Sequence, residues 1–416
     1  MRSVLFLAAS SLFFASAACA QAVSPDQEPG RRFEIRADAL PAPYADKAAS
    51  NGSEVVRRGD QRPIVLEGFE VSLFAEGLRN PRKLLVLGNG DVLLAEQKAG
   101  SITFLRDADG DGKADSVSQF AKGFDQPYGM AIVPDGEHRG ELLVADRRAI
   151  WRLPFKEGDR KPEGKPVAVT AQGVFGSGGG HSTRSLAVDP KNGTMYAGIG
   201  SAGNIGEEKA PRATIQRFDA DGGNQTTFVS GTRNPIGIHF HPQTGRLWGV
   251  VQERDGMGSD LVPDYLAEME EGDFYGWPYA YSGGKPQPDF SDRAPDKVKA
   301  TKMPALLFQA HSSAIDFAFV PDSWPQGWRG DAIAALRGSW NRAKPTGYKL
   351  VRVKFEDGRP AGWYENFVTG FWVGGNGPAE VWGRPASVAF MPDGGLLVAD
   401  DTGGTVWKIR PQAGAR

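Results

Sequence analysis

The chain has 416 residues, of which 48 are basic and 50 acidic, giving a formal charge of -2; with no basic excess, a nucleic-acid partner is excluded. Its 54 glycines and 29 prolines exclude a helical bundle and point to an all-β protein with many turns. The single cysteine, Cys19, falls in the leader segment, so neither disulfides nor thiol chemistry nor covalent haem attachment is expected in the mature chain.

Arg2, the apolar run from Val4 to Phe14 and the small residues Ala18-Cys19-Ala20 make residues 1–20 a secretory signal peptide, cut before Gln21. A periplasmic protein without stable membrane insertion is expected, since no later stretch approaches bilayer-spanning length. Residues 21–64, rich in Pro, Ala and charge, read as an N-terminal arm, extended or partly disordered. From 65 to 416, six stretches share one plan: a Pro or small residue, an alternating strand, a turn, and a second apolar strand that often ends in an acid. They begin near Asn80, Gln126, Thr183, Asn234, Ser313 and Arg384, with turn signals such as Gly88-Asn89-Gly90 and Pro392-Asp393-Gly394 inside them. The spacing suits four-stranded blades and predicts a six-bladed β-propeller. The segment Phe69 to Phe74 is expected to supply the outer strand beside Thr405 to Ile409, leaving no open edge. A large insertion covers 255–305, with a short helix predicted over the acidic stretch Leu266 to Glu271.

Two loops carry oxygen ligands. Asp107, Asp109, Asp111 and Asp115 stand at the first, third, fifth and ninth positions of a loop with glycine, Gly112, at the sixth, the spacing of a calcium site that differs from a helix-loop-helix site because Ser118 holds the twelfth place. Between Glu253 and Asp260, carboxylates and glycine-exposed carbonyls offer a second, more ambiguous site. His239 and His241 share one strand face but lack a third metal partner. His181 lies in the glycine-cushioned run Gly178-Gly179-Gly180-His181-Ser182-Thr183-Arg184, where it can exchange a proton near neutral pH. Arg233, in Gly231-Thr232-Arg233-Asn234-Pro235, opens the next repeat and can hold an anionic cofactor beside it.

Together with Gly272-Asp273-Phe274-Tyr275-Gly276-Trp277-Pro278, Gly338-Ser339-Trp340-Asn341-Arg342 and Gly383-Arg384-Pro385, these motifs resemble the soluble quinoprotein sugar dehydrogenases of the glucose/sorbosone type over roughly residues 65–412. Gly338 to Arg342 is most similar to the sorbosone branch, which includes the quinone-binding domains of fungal pyranose dehydrogenases. The resemblance implies a six-bladed propeller that uses pyrroloquinoline quinone (PQQ) and calcium to oxidise an aldose or a sugar aldehyde, with an external electron acceptor, a cytochrome or quinone. It implies His181 as general base and Arg233 beside the quinone and the reacting oxygen. Asn234, Arg337, Arg342 and Arg384 would bind cofactor, and Gln126 would face substrate. Carbonyls at Asp255 and Gly256, with Glu253 and Asp260 nearby, would ligate calcium. Ile236 stands where the glucose-oxidising branch has glutamine, and Arg337 where the sorbosone branch has histidine. A calcium propeller acting as a sugar lactonase, or a non-catalytic carbohydrate-binding propeller, are the competing readings; the former needs no tricarboxylate cradle and the latter no base.

Overall fold

Antiparallel sheets account for nearly all regular structure, as the turn-rich composition requires. The computed structural model describes residues 24–176, 179–412 and 414, so the leader with Cys19, and Gly178 of the histidine loop, lie outside the described residues. Five four-stranded sheets and one six-stranded sheet follow the six repeats. Their first strands are Pro81–Val86, Met130–Ile132, Arg184–Val188, Asn234–Phe240, Ala314–Phe319 and Pro385–Phe390. Each packs against the first strand of the next sheet, and Pro385–Phe390 packs back on Pro81–Val86. Phe69–Ala75 pairs antiparallel with Thr405–Pro411, so the sixth sheet takes its outer strand from the opposite end of the sequence.

Burial falls from the inside of each sheet outward. Val92–Glu96, Ala332–Leu336 and Leu396–Asp400 are second strands in which every residue is buried, because neighbouring sheets cover both faces. Their near-continuous apolar sequence follows from that double cover. The outermost strand Ser116–Lys122 is mostly exposed. The predicted turns between first and second strands form with Gly90, Gly136, Gly193 and Gly394 at positive φ, where a Cβ would be strained.

The acids at the ends of second strands have a common task. Glu96 accepts the backbone N–H of Arg79, Asp146 that of Asp125, and Asp400 that of Arg384. Each caps the segment that leads into a first strand and satisfies a backbone donor there. Deeper in, four first strands meet on Asp316. Lys83 Nζ donates to both its carboxylate oxygens at 2.7 and 2.9 Å, His239 Nε2 to one at 2.8 Å and Ser387 Oγ to the other at 2.7 Å. Burial opposes a charge there, yet Lys83 and His239 hold the Asp316 carboxyl far below its usual range. His239 is thus committed to Asp316, while His241 Nδ1 accepts the N–H groups of Gln243 and Thr244, so the two imidazoles do not converge.

One expectation changes. The stretch predicted as a helix from Leu266 lies mainly in the strand Pro263–Met269, the third of its sheet, where cross-strand pairing with Leu247–Gln252 overrides helix propensity. Pro295–Lys299 is the only α-helix among the described residues, and none is long and apolar enough to cross a membrane. The described part of the arm, residues 24–64, bonds to the sheets at several points. The fully buried Lys349 ammonium donates to Asp26 at 2.8 and 3.0 Å, the buried Gln27 amide donates to Gly347 O, and Phe33 stacks on Tyr364. Further along, Glu54–Val55 and Ile64–Val65 each join a sheet edge.

Replacing Lys83 by Met leaves the Asp316 carboxylate buried without its principal cation. A loss of about 3–5 kcal/mol in unfolding free energy, read by denaturant titration, is the expected outcome. The double variant Lys83→Met/Asp316→Leu should recover part of it.

Candidate active site

First strands begin, and second strands finish, at the same end of the sheets, so the loops preceding and following them cluster there. A cavity of about 270 Å³ opens among these loops. Of the sequence-predicted residues, His181, Arg233, Glu253, Asp255, Arg337 and Arg384 line it.

His181 is placed by tight backbone contacts. A Cβ on Gly180 would overlap the carbonyl of Ala202, and one on Gly200 would overlap Asn234 Oδ1 and lie 2.6 Å from His181 Cβ, so glycine alone lets the two loops meet. The histidine carbonyl accepts Nη1 of Arg184 at 2.8 Å and of Arg212 at 3.3 Å. On the ring, Nδ1 lies 2.9 Å from the Ser201 carbonyl. A carbonyl only accepts, so Nδ1 carries the proton and Nε2 holds the free lone pair. Burial first, and then the Arg233 charge, push the imidazole down to about 4. His181 is therefore an unprotonated acceptor at neutral pH.

Arg233 is immobilised on every side. Nε donates to Asn204 O, Nη1 to Glu253 O at 2.7 Å, and Nη2 to Asn204 Oδ1 and Asp255 Oδ2 at 2.9 and 3.2 Å. Asp255 also accepts Asn341 Nδ2 and faces His311 Nδ1 at 3.5 Å, while His311 Nε2 donates to Gly258 O. Burial lowers His311, but Asp255 and Gly258 outweigh it and hold it above its ordinary value. Behind them, burial pushes Asp264 up to about 6, though it accepts the backbone N–H of Glu253 and Ala314.

The opposite wall is cationic. Arg337 Nε donates to Asp401 Oδ2 at 2.6 Å, and Arg82 Nη1 to the same oxygen at 2.5 Å. Despite burial, these guanidinium groups hold Asp401 far below the usual carboxylate range. Arg384 donates to the carbonyls of Arg337 and Gly338, and among the described residues it pairs with no carboxylate. Burial and the neighbouring Arg337 lower it to about 10. Neither the terminal nitrogens of Arg337 nor Nη1 of Arg384 makes a hydrogen bond among the described residues. Across the cavity, Glu253 Oε1 and Asn341 Oδ1 are buried acceptors without a partner.

Other sequence-predicted residues lie outside this wall. Asn234 donates to the lining residue Gln252 at 3.0 Å, and Ile236 is buried in the apolar core. Gln126 is half-buried at φ 55° and does not reach the lining. Asp260 is exposed and pairs with Arg342 at 2.5 Å, which leaves Arg342 behind the cavity and Asp260 with a cation of its own; Gly256 is exposed on the same loop. Asp107, Asp109 and Asp115 bring carboxylate oxygens within 4.8 Å of one another, whereas Asp111 turns to the N–H of Lys113. That loop joins a third strand to a fourth and so emerges at the end of the sheets opposite the cavity. Missed from sequence were His311, Asn204, Asp264 and Ser313; Trp340 and Asn341 lay within a quoted motif without an assigned role.

A family model described as TrAA12-like matches residues 63–412. A PQQ-dependent pyranose dehydrogenase of Coprinopsis cinerea is 25% identical over 419 residues, covering 84% of this chain and 55% of that protein. The chain spans 55 to 60% of the length of the first curated relatives it matches. Among solved structures, the holo PQQ domain of pyranose dehydrogenase from Coprinopsis cinerea superposes with a TM-score of 0.71 at 19% identity, covering 86% of this chain and 100% of that one. The calcium structure of a Trichoderma reesei enzyme of Carbohydrate-Active Enzymes family AA12 gives 0.69 at 19% identity, covering 87% and 99%. At such identities the likeness to solved structures shows a shared fold.

The folded His181 binds a proton more weakly than the unfolded one, whose ordinary value is 6.5. Stability from this residue is therefore present above pH 6.5 and declines as pH falls towards about 4. In a nitrogen-resolved NMR titration the His181 ring is expected to change protonation near pH 4; a midpoint near 6.5 would contradict the buried, arginine-flanked placement.

Proposed function

Because the chain belongs to the TrAA12-like family over residues 63–412, we propose that it is a quinoprotein oxidoreductase that oxidises a sugar with PQQ as cofactor. The observation that carries this reading is the pairing, in one cavity, of a neutral histidine with terminal guanidinium nitrogens of Arg337 and Arg384 that make no hydrogen bond among the described residues. A tricarboxylate fits the terminal nitrogens of Arg337 and Nη1 of Arg384. The orphaned acceptor Glu253 Oε1 suits a divalent cation, which would also draw on the Asp255 and Gly256 carbonyls. Calcium is the proposed ion, a choice supported by the calcium-containing relative of the same fold. The six sheets are read as blades of a closed propeller, supported by the ring of first-strand contacts and by Phe69–Ala75 in the last sheet.

When bound, PQQ supplies the two-electron acceptor. His181 Nε2 takes the proton from the hydroxyl at the carbon being oxidised, the anomeric carbon of a cyclic aldose or the hydrated carbon of a sugar aldehyde. Ser201 keeps the ring in the tautomer this needs. Arg233, locked by Asn204 and Asp255, presents fixed positive charge to the oxygen that becomes negative. The apolar Ile236 is packed in the core and offers the substrate no hydrogen bond. Whether an aldose or a sorbosone-like aldehyde is preferred is a question of cavity fit. A secretory leader supports export to the periplasm, and turnover calls for an external electron acceptor.

His181→Ala is expected to lower the rate of bound-quinone reduction by about 10²- to 10⁴-fold while leaving PQQ affinity nearly unchanged. Arg384→Ala should do the reverse, weakening PQQ binding with much of the turnover recovered at saturating cofactor. Single-turnover absorbance and cofactor titration with several aldoses separate the two; a His181→Ala protein that reduces quinone at the wild-type rate overturns the assignment.

Exhaustive chelation is expected to abolish PQQ-dependent dye reduction, and added calcium to restore it. The same restoration in an Asp109→Asn/Asp115→Asn variant would separate the cavity ion from any ion held by the distant loop.

A further inference from the structure

The middle of the arm precedes the family-matched region, yet it bonds to two loops that carry cavity residues. The N–H of Tyr44 donates to Met257 O at 2.9 Å, and the Asp46 carboxylate accepts the Ser259 N–H at 2.9 and 3.2 Å. Gly258 lies against Asp46 so closely that a Cβ there would overlap the carboxylate. Seven residues on from Tyr44, the Asn51 N–H donates to Trp340 O at 2.8 Å and its side-chain amide to Arg342 O at 2.7 Å, and a Cβ added at Gly52 would meet the Trp340 Cβ at 4.0 Å. One extended segment thus bonds to both loops that carry cavity residues: 255–260, with Asp255, and 338–343, with Trp340 and Asn341. The loops also touch each other through Ser259, which accepts Arg342 Nε at its carbonyl and the Ala343 N–H at its hydroxyl. Ser259 is the knot where strap and loops meet. Trp340, although it lines the cavity, is 50% exposed and so presents an aromatic face at the entrance.

We propose that residues 44–53 are a strap that ties these two loops together, with Asp46 and Asn51 as positioning residues that hold the Trp340 ring where a sugar enters. An aromatic ring fixed in place offers a flat apolar surface to the C–H face of a pyranose at little cost in side-chain entropy. Among the described residues the strap makes no hydrogen bond to the side chains of His181, Arg233, Arg337 or Arg384, so its effect falls first on the Trp340 entrance and on substrate capture. The substrate half of this proposal rests on the sugar-oxidising reading; the loop-tying half stands apart from it.

The test compares the wild-type protein with Asp46→Ala/Asn51→Ala and with the conservative Asp46→Asn, which keeps an acceptor for Ser259. In the cofactor-free proteins, amide hydrogen exchange over 257–260 and 339–343 is expected to speed up by at least about tenfold in the double variant, with the sheets unchanged. After loading with PQQ and calcium, KM for the sugar should rise about tenfold with kcat within about twofold, and Asp46→Asn should remain near wild type. Loops that keep wild-type protection in the double variant overturn the strap, and loosened loops with an unchanged KM overturn its role in holding the substrate. Should the wild-type protein bind no PQQ, the sugar-oxidising reading falls, and the exchange data on the cofactor-free proteins still decide whether the loops are tied.

Discussion

A buried carboxylate needs its partners in fixed places, and Asp316 draws them from four sheets at once: Lys83 from the first, His239 from the fourth, Ser387 from the sixth, and its own strand in the fifth. In a dry interior the charge is tolerable only when each lone pair is satisfied. The angular placement of the first strands is thereby specified by geometry that apolar packing alone leaves loose. The cavity hangs from the same strands. Arg233 immediately precedes Asn234–Phe240, Ser313 precedes Ala314–Phe319, and Arg384 precedes Pro385–Phe390. A slip of one first strand would displace a cavity residue as directly as it would break an Asp316 contact.

Within the cavity, charges are arranged so that positive potential is high where ligands bind and proton affinity is low at His181. Arg233 contributes to both, since it depresses the histidine while its own position is locked by Asp255. On the other wall, Asp401 balances part of the charge of Arg82 and Arg337, which lets three guanidinium groups stand close together without mutual repulsion driving them apart. Arg384, which pairs with no carboxylate among the described residues, is held by main-chain carbonyls and the Tyr348 ring, contacts that orient it without neutralising it.

Legibility from sequence tracked the locality of the cause. Turn glycines such as Gly90 and Gly394 announce themselves because backbone dihedral demands are local. The acids Glu96, Asp146 and Asp400 were visible as strand ends, although their role in capping the segments before first strands needed three dimensions. Leu266 to Glu271 misled because its helix-forming residues are outweighed by two neighbouring strands. In the site, His181 and Arg233 stood out through motif context, whereas His311 and Asn204 had no signal: each acts through a partner about 50 residues away, Asp255 in both cases. Asp111 shows the converse, a correctly spaced carboxylate that stands apart from the cluster of Asp107, Asp109 and Asp115.

The pairing of Phe69–Ala75 with Thr405–Pro411 has a consequence for how the chain is made. A ribosome emits residues from the N-terminus, so this strand emerges before the six sheets form, and its partner emerges only after their other strands. Throughout synthesis, and throughout any unfolded passage across a membrane, an apolar strand with open backbone donors and acceptors must wait beside growing sheets whose edges it could join wrongly. Glu70, exposed on that strand, and the arm residues Ile64 and Val65, which pair elsewhere, limit the false partners available to it. Vectorial synthesis thus makes the early strand wait for a late one, and a chain cut before Thr405 would leave Phe69–Ala75 without its partner.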